Sequence, residues 1–150
     1  MIIRSRKIGV GVVSRVFLSP PSTGRTEISA VVAALESGWV APVGPDLEAF
    51  EKGIAHIAGR DHAVALSTGT SALHLGLMGL GVGPGDEVVV PTLTFAATAF
   101  AVTYVGAQPV FVDSEEESWG LDPSLLLDLL ADRARHRVLP AAVVPVDLFG

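Results

Sequence analysis

Apolar positions in the first third of the chain recur at helical spacing. Further on, the pattern alternates between short continuous apolar runs and helical stripes. Over residues 26–36, Ile28, Val31, Val32 and Leu35 fall on one face of a helix. A second stripe, Leu47, Phe50, Ile54 and Ile57, follows Pro45, which suits a first helical position, and Gly59 ends it. Residues 37–45, between the two, are too rich in Gly and Pro to be regular. From residue 62 the elements alternate: strand 62–66, helix 70–80, strand 87–91, helix 95–105, strand 109–113. Asp122-Pro123 is a cap followed by a first-turn proline. It opens a helix whose inner face and end are marked by Leu126, Leu129, Leu130 and Arg133. Residues 138–149 predict a final apolar strand and turn.

Strand–helix alternation with nearly continuous apolar strands predicts an α/β fold, its sheet covered by helices on both faces. Ligands in such folds sit at the carboxyl ends of strands, where residues 67–70 and 92–95 fall. The first of these opens Ser67-Thr68-Gly69-Thr70-Ser71-Ala72-Leu73, a strand, glycine turn and helix start. The first N–H groups of a helix lack internal partners and carry partial positive charge, so an anion can bind there without a lysine. Gly69 lets the backbone come close, and the Thr70 and Ser71 hydroxyls can add hydrogen bonds. Two readings stand: a phosphate cup, or a plain helix start with Thr70 as its N-cap.

Composition narrows the function. The chain has 150 residues, 49% of them hydrophobic and only 17% charged, with 16 glycines besides. This balance suits part of a larger, more buried body better than a small free-standing domain. A net charge of −6 leaves no electrostatic footprint for nucleic acid, and Asp128 and Asp132 dilute the late cluster Arg133, Arg135 and Arg137. Without cysteine there is no disulfide framework, thiolate metal site or cysteine nucleophile; a cytoplasmic enzyme fits. His56, His62, His74 and His136 show no metal-binding spacing, and His74 reads as a core or interface residue. Residues 63–85 and 88–112 carry no formal charge and are long enough to span a bilayer. Gly81-Val82-Gly83-Pro84-Gly85, Pro91 and Gln108-Pro109 break them, so buried α/β elements are expected in place of membrane spans. Residues 1–14 lack the long apolar core of a signal peptide and read as an N-terminal extension.

Four segments in register carry a family resemblance. They are Ser37-Gly38-Trp39-Val40-Ala41-Pro42-Val43-Gly44-Pro45, the 67–73 turn, the run from Gly83-Pro84-Gly85-Asp86-Glu87 through Pro91-Thr92-Leu93-Thr94-Phe95 to Ala99, and Val105-Gly106-Ala107-Gln108-Pro109-Val110-Phe111-Val112-Asp113. From about Arg15 to Gly150 the chain resembles the first part of the DegT/StrS-type sugar aminotransferases, which use pyridoxal phosphate. The resemblance implies an incomplete type I pyridoxal-phosphate transferase large domain over residues 61–150, with a mostly parallel sheet flanked by helices. A helical segment and loop at 15–60 would precede it. It implies that Gly69, Thr70 and Ser71 hold the cofactor phosphate and that Phe95 stacks on the ring; the alternative for Phe95 is a core aromatic at a helix start. Trp39, Val40 and Pro42 match a loop near the sugar-nucleotide pocket, but the reading of Trp39 as only an anchor for that loop is the stronger one. The implied reaction moves an amino group from an amino acid, glutamate in the family, to a keto sugar nucleotide, for surface polysaccharide or glycoside biosynthesis. The implied assembly is a homodimer.

Pyridoxal phosphate chemistry also needs a carboxylate at the pyridine nitrogen and a lysine that bonds the aldehyde. The resemblance places both beyond residue 150. The two lysines present are Lys7, in the extension, and Lys52, off the apolar stripe of its helix. Asp113 reads as a solvated strand end, and Asp147 stands where relatives often carry histidine. The chain is therefore expected to be an N-terminal fragment with no catalytic residue of its own and no metal site. A non-catalytic relic and a sugar dehydratase of the same family are the alternatives.

Overall fold

A computed structural model describes residues 21–148. The expected 1–14 extension and Lys7 lie outside them. The chain divides into two compact units that meet between Ala63 and Val64.

The first unit holds two helices, α1 (Arg25–Ser37) and α2 (Pro45–Ile57). Glu27 begins α1 by accepting the Gly24 N–H at 2.6 Å, which satisfies one orphan donor of the first turn. Gly38 ends it in the left-handed region at φ +76°, its N–H on the Leu35 carbonyl. Pro45 takes the first position of α2, as its fixed φ favours. The stripe Ile28, Val31, Val32 and Leu35 is exposed; no residue of α1 is buried.

The second unit is a parallel three-stranded sheet with three helices, α3 (Gly69–Gly79), α4 (Ala96–Tyr104) and α5 (Pro123–Arg135). The strands β1 (Glu87–Pro91), β2 (Gln108–Val112) and β3 (Ala142–Val143) lie in the order β2-β1-β3. β1 pairs with β2 from Glu87↔Gln108 to Pro91↔Val112, and with β3 at Val88↔Ala142 and Val89↔Val143. Being central explains its sequence: Val88, Val89 and Val90 are fully buried, as an unbroken apolar run requires. Proline in β2 is tolerated for the opposite reason. Gln108 donates to Asp86 and Val112 accepts from Thr92, so the alternate residue Pro109 turns its missing N–H away from β1. The core gathers Leu77 of α3, Val88 and Val90 of β1, and Ala101 and Val102 of α4.

Two expected strands differ. Residues 62–66 form no strand, because none of the ladders among the described residues includes them. An apolar run is compatible with a strand, but only a neighbour makes it one. For the same reason the apolar stretch 138–149 contributes a ladder of just Ala142–Val143, extended by the Ala141 N–H to Glu87 and the Val144 N–H to Val89. The cap of α5 matches the sequence: Asp122 accepts from the Ser124 and Leu125 N–H groups at 2.7 and 3.2 Å. The Ser124 hydroxyl and these N–H groups hold its carboxyl below the usual aspartate range. Arg133, at the inner end of α5, grips Glu87 through Nε at 2.8 Å and Nη2 at 3.2 Å, pinning the helix to the start of β1. No helix among the described residues is long and apolar enough to cross a membrane, and no cluster of metal-ligating side chains occurs among them.

Gly106, in the turn between α4 and β2, has φ +80°, and a Cβ there would meet Pro84 Cγ at 3.0 Å. Backbone and space both demand glycine. Gly106→Ala is expected to lower stability by about 1–2 kcal/mol from the left-handed conformation alone. Chemical denaturation checks this; an unchanged midpoint would mean that the turn relaxes without cost.

Candidate functional site: a cleft at the carboxyl ends of the strands

The start of α3, the turn after β1 and the chain after β3 border one cleft of about 1010 Å³. Its floor is apolar, with Leu73 and Leu77 of α3 and Val144 beyond β3. Gly69 and Thr70 line it from one side, Thr94 and Phe95 from another. The second unit alone forms it. Gly69, Thr70 and Phe95 thus line one cleft, Phe95 from the turn after β1, and Gly69 and Thr70 from a helix start whose expected preceding strand at 62–66 does not form.

The helix begins one residue earlier than expected, and this corrects the alternative reading of Thr70. Thr68, in extended conformation, is the N-cap, and its Oγ1 accepts the Ser71 N–H at 3.1 Å. Gly69, Thr70 and Ser71 are then the first three helical residues. Among the described residues nothing accepts from the Gly69 or Thr70 N–H groups, which leaves two donors of the first turn for a ligand. A Cβ at Gly69 would meet nothing within 4 Å, so the backbone faces open space.

Ser71 also bonds within the turn. Its hydroxyl lies 2.9 Å from Thr68 Oγ1. Either oxygen can donate in this pair, since a hydroxyl that accepts the Ser71 N–H keeps a second lone pair and its own proton. Thr68 orients this arrangement. The signal was present in Ser67-Thr68-Gly69, but two threonines flank that glycine, and only the backbone conformation shows which one caps.

Phe95 is 82% exposed at the N-cap of α4, so it is no core aromatic. The turn carrying it is tied at both ends. Thr92 donates its N–H to the Val112 carbonyl at 2.9 Å and its hydroxyl to Asp113 Oδ1 at 2.8 Å. Thr94 Oγ1 lies 2.8 Å from Oγ1 of Thr98, a buried residue of α4. Asp113 also accepts the Ser114 N–H at 2.9 Å; the Thr92 hydroxyl and this N–H hold its carboxyl below the usual aspartate range. Asp113 is therefore more than a solvated strand end. His74 is half-buried and meets Tyr104 edge-on, 5.6 Å between ring centres, where α3 packs on α4.

Trp39 and Pro42 belong to the first unit. The Trp39 indole packs over Gly44, where a Cβ would meet its Cε3 at 3.3 Å, and the Trp39 backbone N–H donates to Ser37 Oγ at 3.1 Å. Both contacts anchor the loop; Pro42 is exposed within it. Lys52 is exposed and sits 3.7 Å from Glu48 across one helical turn, consistent with a solvated face.

The sequence pattern of the DegT/DnrJ/EryC1/StrS aminotransferase family matches residues 21–150. The chain is 40% identical to the GDP-perosamine synthase of Caulobacter vibrioides over 136 residues, 91% of this chain and 35% of that protein. It is 38% identical to the UDP-4-amino-4-deoxy-L-arabinose–oxoglutarate aminotransferase of Shewanella sediminis, over 89% of this chain and 32% of that one. It thus spans about a third of the length of these relatives. Among solved structures, a DegT DnrJ EryC1 StrS aminotransferase from Brucella abortus superposes with a TM-score of 0.73 at 40% identity, over 82% of this chain and 33% of that one. The Bacillus subtilis protein ntda with bound cofactor PMP superposes with a TM-score of 0.66 at 32% identity, over 85% and 28%. The parallel sheet, the helix start facing its cleft and these matches lead to one assignment: the chain belongs to the DegT/DnrJ/EryC1/StrS aminotransferase family.

Proposed function

We propose that this chain supplies the phosphate-binding and ring-stacking part of a pyridoxal-phosphate-dependent aminotransferase acting on a keto sugar nucleotide. One observation carries the reading. Gly69 and Thr70, whose N–H groups have no acceptor among the described residues, line the same cleft as an exposed phenylalanine after β1. A phosphate dianion suits the first, an aromatic ring the second. The Gly69 and Thr70 N–H groups would bind the phosphate, and the Thr70 and Ser71 hydroxyls would add bonds. Phe95 would orient the ring, and the apolar floor would exclude water. When bound, the cofactor supplies an aldehyde to carry the amino group and a ring that accepts electron density as a C–H proton leaves.

Lys52, exposed and paired with Glu48, does not suit the covalent role. Donor, sugar and assembly follow the family: glutamate gives the amino group, a homodimer is the working form, and Trp39 and Pro42 border the sugar nucleotide. The cytoplasm, where sugar nucleotides are made, suits such an enzyme.

The test is transfer of ¹⁵N from labelled glutamate to a keto sugar nucleotide by the native protein. Transfer that depends on added pyridoxal phosphate is the expected result. Loss of water from the sugar without nitrogen uptake would assign a dehydratase instead, and the absence of both reactions would overturn the reading altogether.

A further inference from the structure

The turn that presents Phe95 has four residues, Thr92-Leu93-Thr94-Phe95, and the hydroxyls of both threonines are engaged. On the α4 side, Thr94 meets Thr98, whose N–H also bonds the Phe95 carbonyl at 3.0 Å. On the sheet side, Thr92 meets the Asp113 carboxylate, and Asp113 is itself fixed. Its Oδ1 takes the Ser114 N–H, and its carbonyl takes the Asp122 N–H at 2.9 Å. Asp113 thus gathers the end of β2, the start of α5 and the turn after β1 around one residue, the first and third through its carboxylate and the second through its carbonyl. An exposed aromatic has no packing of its own to hold it. Its direction comes from the backbone beneath, and here two side-chain bonds fix that backbone.

We propose that Asp113 is a positioning residue which, through the Thr92 hydroxyl, sets the turn that aims Phe95 into the cleft before any ligand arrives. The proposal rests on the reading of Phe95 as the stacking residue. Asp113 touches no ligand in this scheme; it acts at one remove, through a neutral hydroxyl. What it must provide is an acceptor oxygen, and its charge strengthens the bond without being essential to the geometry. Asparagine, which keeps that oxygen, should therefore substitute where alanine cannot.

Two measurements on the native protein test this. The first is pyridoxal phosphate affinity in a double-mutant cycle. Asp113→Ala and Thr92→Val are each expected to weaken binding about fivefold, on the scale of a lost aromatic contact. Asp113→Asn and Thr92→Ser should stay near the parent value. In a Phe95→Ala background, Asp113→Ala should add nothing, because the contact it positions has gone. Additive losses, or Asp113→Asn as poor as Asp113→Ala, would overturn the proposal.

The second measurement needs no ligand. These 150 residues contain no cysteine, so among them a nitroxide attached in a Phe95→Cys variant reports this turn alone. Asp113→Ala should increase its fast-motion component, and Asp113→Asn should not; identical spectra would overturn the proposal. Should Asp113→Ala fail to fold, Thr92→Val and Thr92→Ser carry both comparisons. If Phe95→Ala leaves affinity unchanged, the stacking reading fails, and the clamp is judged by the nitroxide alone.

Discussion

With the chain restored to full length, replacing Gly69 and Thr70 together by valine is expected to weaken pyridoxal phosphate binding by ~30-fold or more while leaving the fold intact. Thr70→Val removes a donor to a dianion, and a hydrogen bond to a charged group is worth roughly 1.5–3 kcal/mol. Gly69→Val places a branched side chain in the open space where the phosphate would sit, since a Cβ there would meet no described atom within 4 Å beyond its chain neighbours and its own helix backbone. The same emptiness is why folding should not suffer: the new side chain displaces only solvent. Trp39→Ala, in the loop of the first unit, should change cofactor affinity much less. Fluorescence titration with pyridoxal phosphate, beside a thermal unfolding scan, gives both quantities. Unchanged affinity in a folded double variant would reduce the turn to a plain helix start capped by Thr68.

The second large effect concerns solution behaviour. The polypeptide of residues 1–150, expressed alone, is expected to associate. Ile28, Val31 and Leu35 on α1 are each about 60% exposed, and Leu75, Met78 and Leu80 at α3 are uncovered as well. β3 pairs with β1 along one edge and has no ladder on the other among the described residues. Open apolar faces and a free strand edge both favour contact between chains. Size exclusion with light scattering should give a mass well above the 15.5 kDa of one chain. A monodisperse monomer with a sharp thermal transition would show that these residues are a domain in their own right.

The elements most legible in the sequence carry their own local chemistry. Pro45 fixes the start of α2, Asp122-Pro123 the start of α5, and the charge-to-apolar step at Glu87 the start of β1. Each depends on residues within a turn of one another. Where the reading went astray, the deciding partner was distant or conformational. An apolar run at 62–66 is silent about whether a strand lies beside it. The stripe on α1 marks an amphipathic helix and says nothing of what covers it. Thr68 and Thr70 are the same residue type, two apart, and only the extended backbone of Thr68 makes it the cap. The candidate site was visible as Gly69, Thr70 and Phe95 because strand ends and helix starts are local features. The bond from Thr92 to Asp113 was not, because it joins two strand ends 21 residues apart in sequence.

The central position of β1 has a consequence for the order in which the sheet can form. Its partner β2 follows after a single helix, so β1, α4 and β2 can close on one another while the chain is still short. Contacts this local form early. β3 comes last among the described strands, and the chain crosses from β2, past β1, to reach the opposite edge. During synthesis, one edge of the Val88-Val89-Val90 run is therefore paired soon after it leaves the ribosome. The other waits for Ala142 and Val143. For that interval the nascent sheet offers an apolar strand with one edge open, and this is the surface a chaperone would meet first.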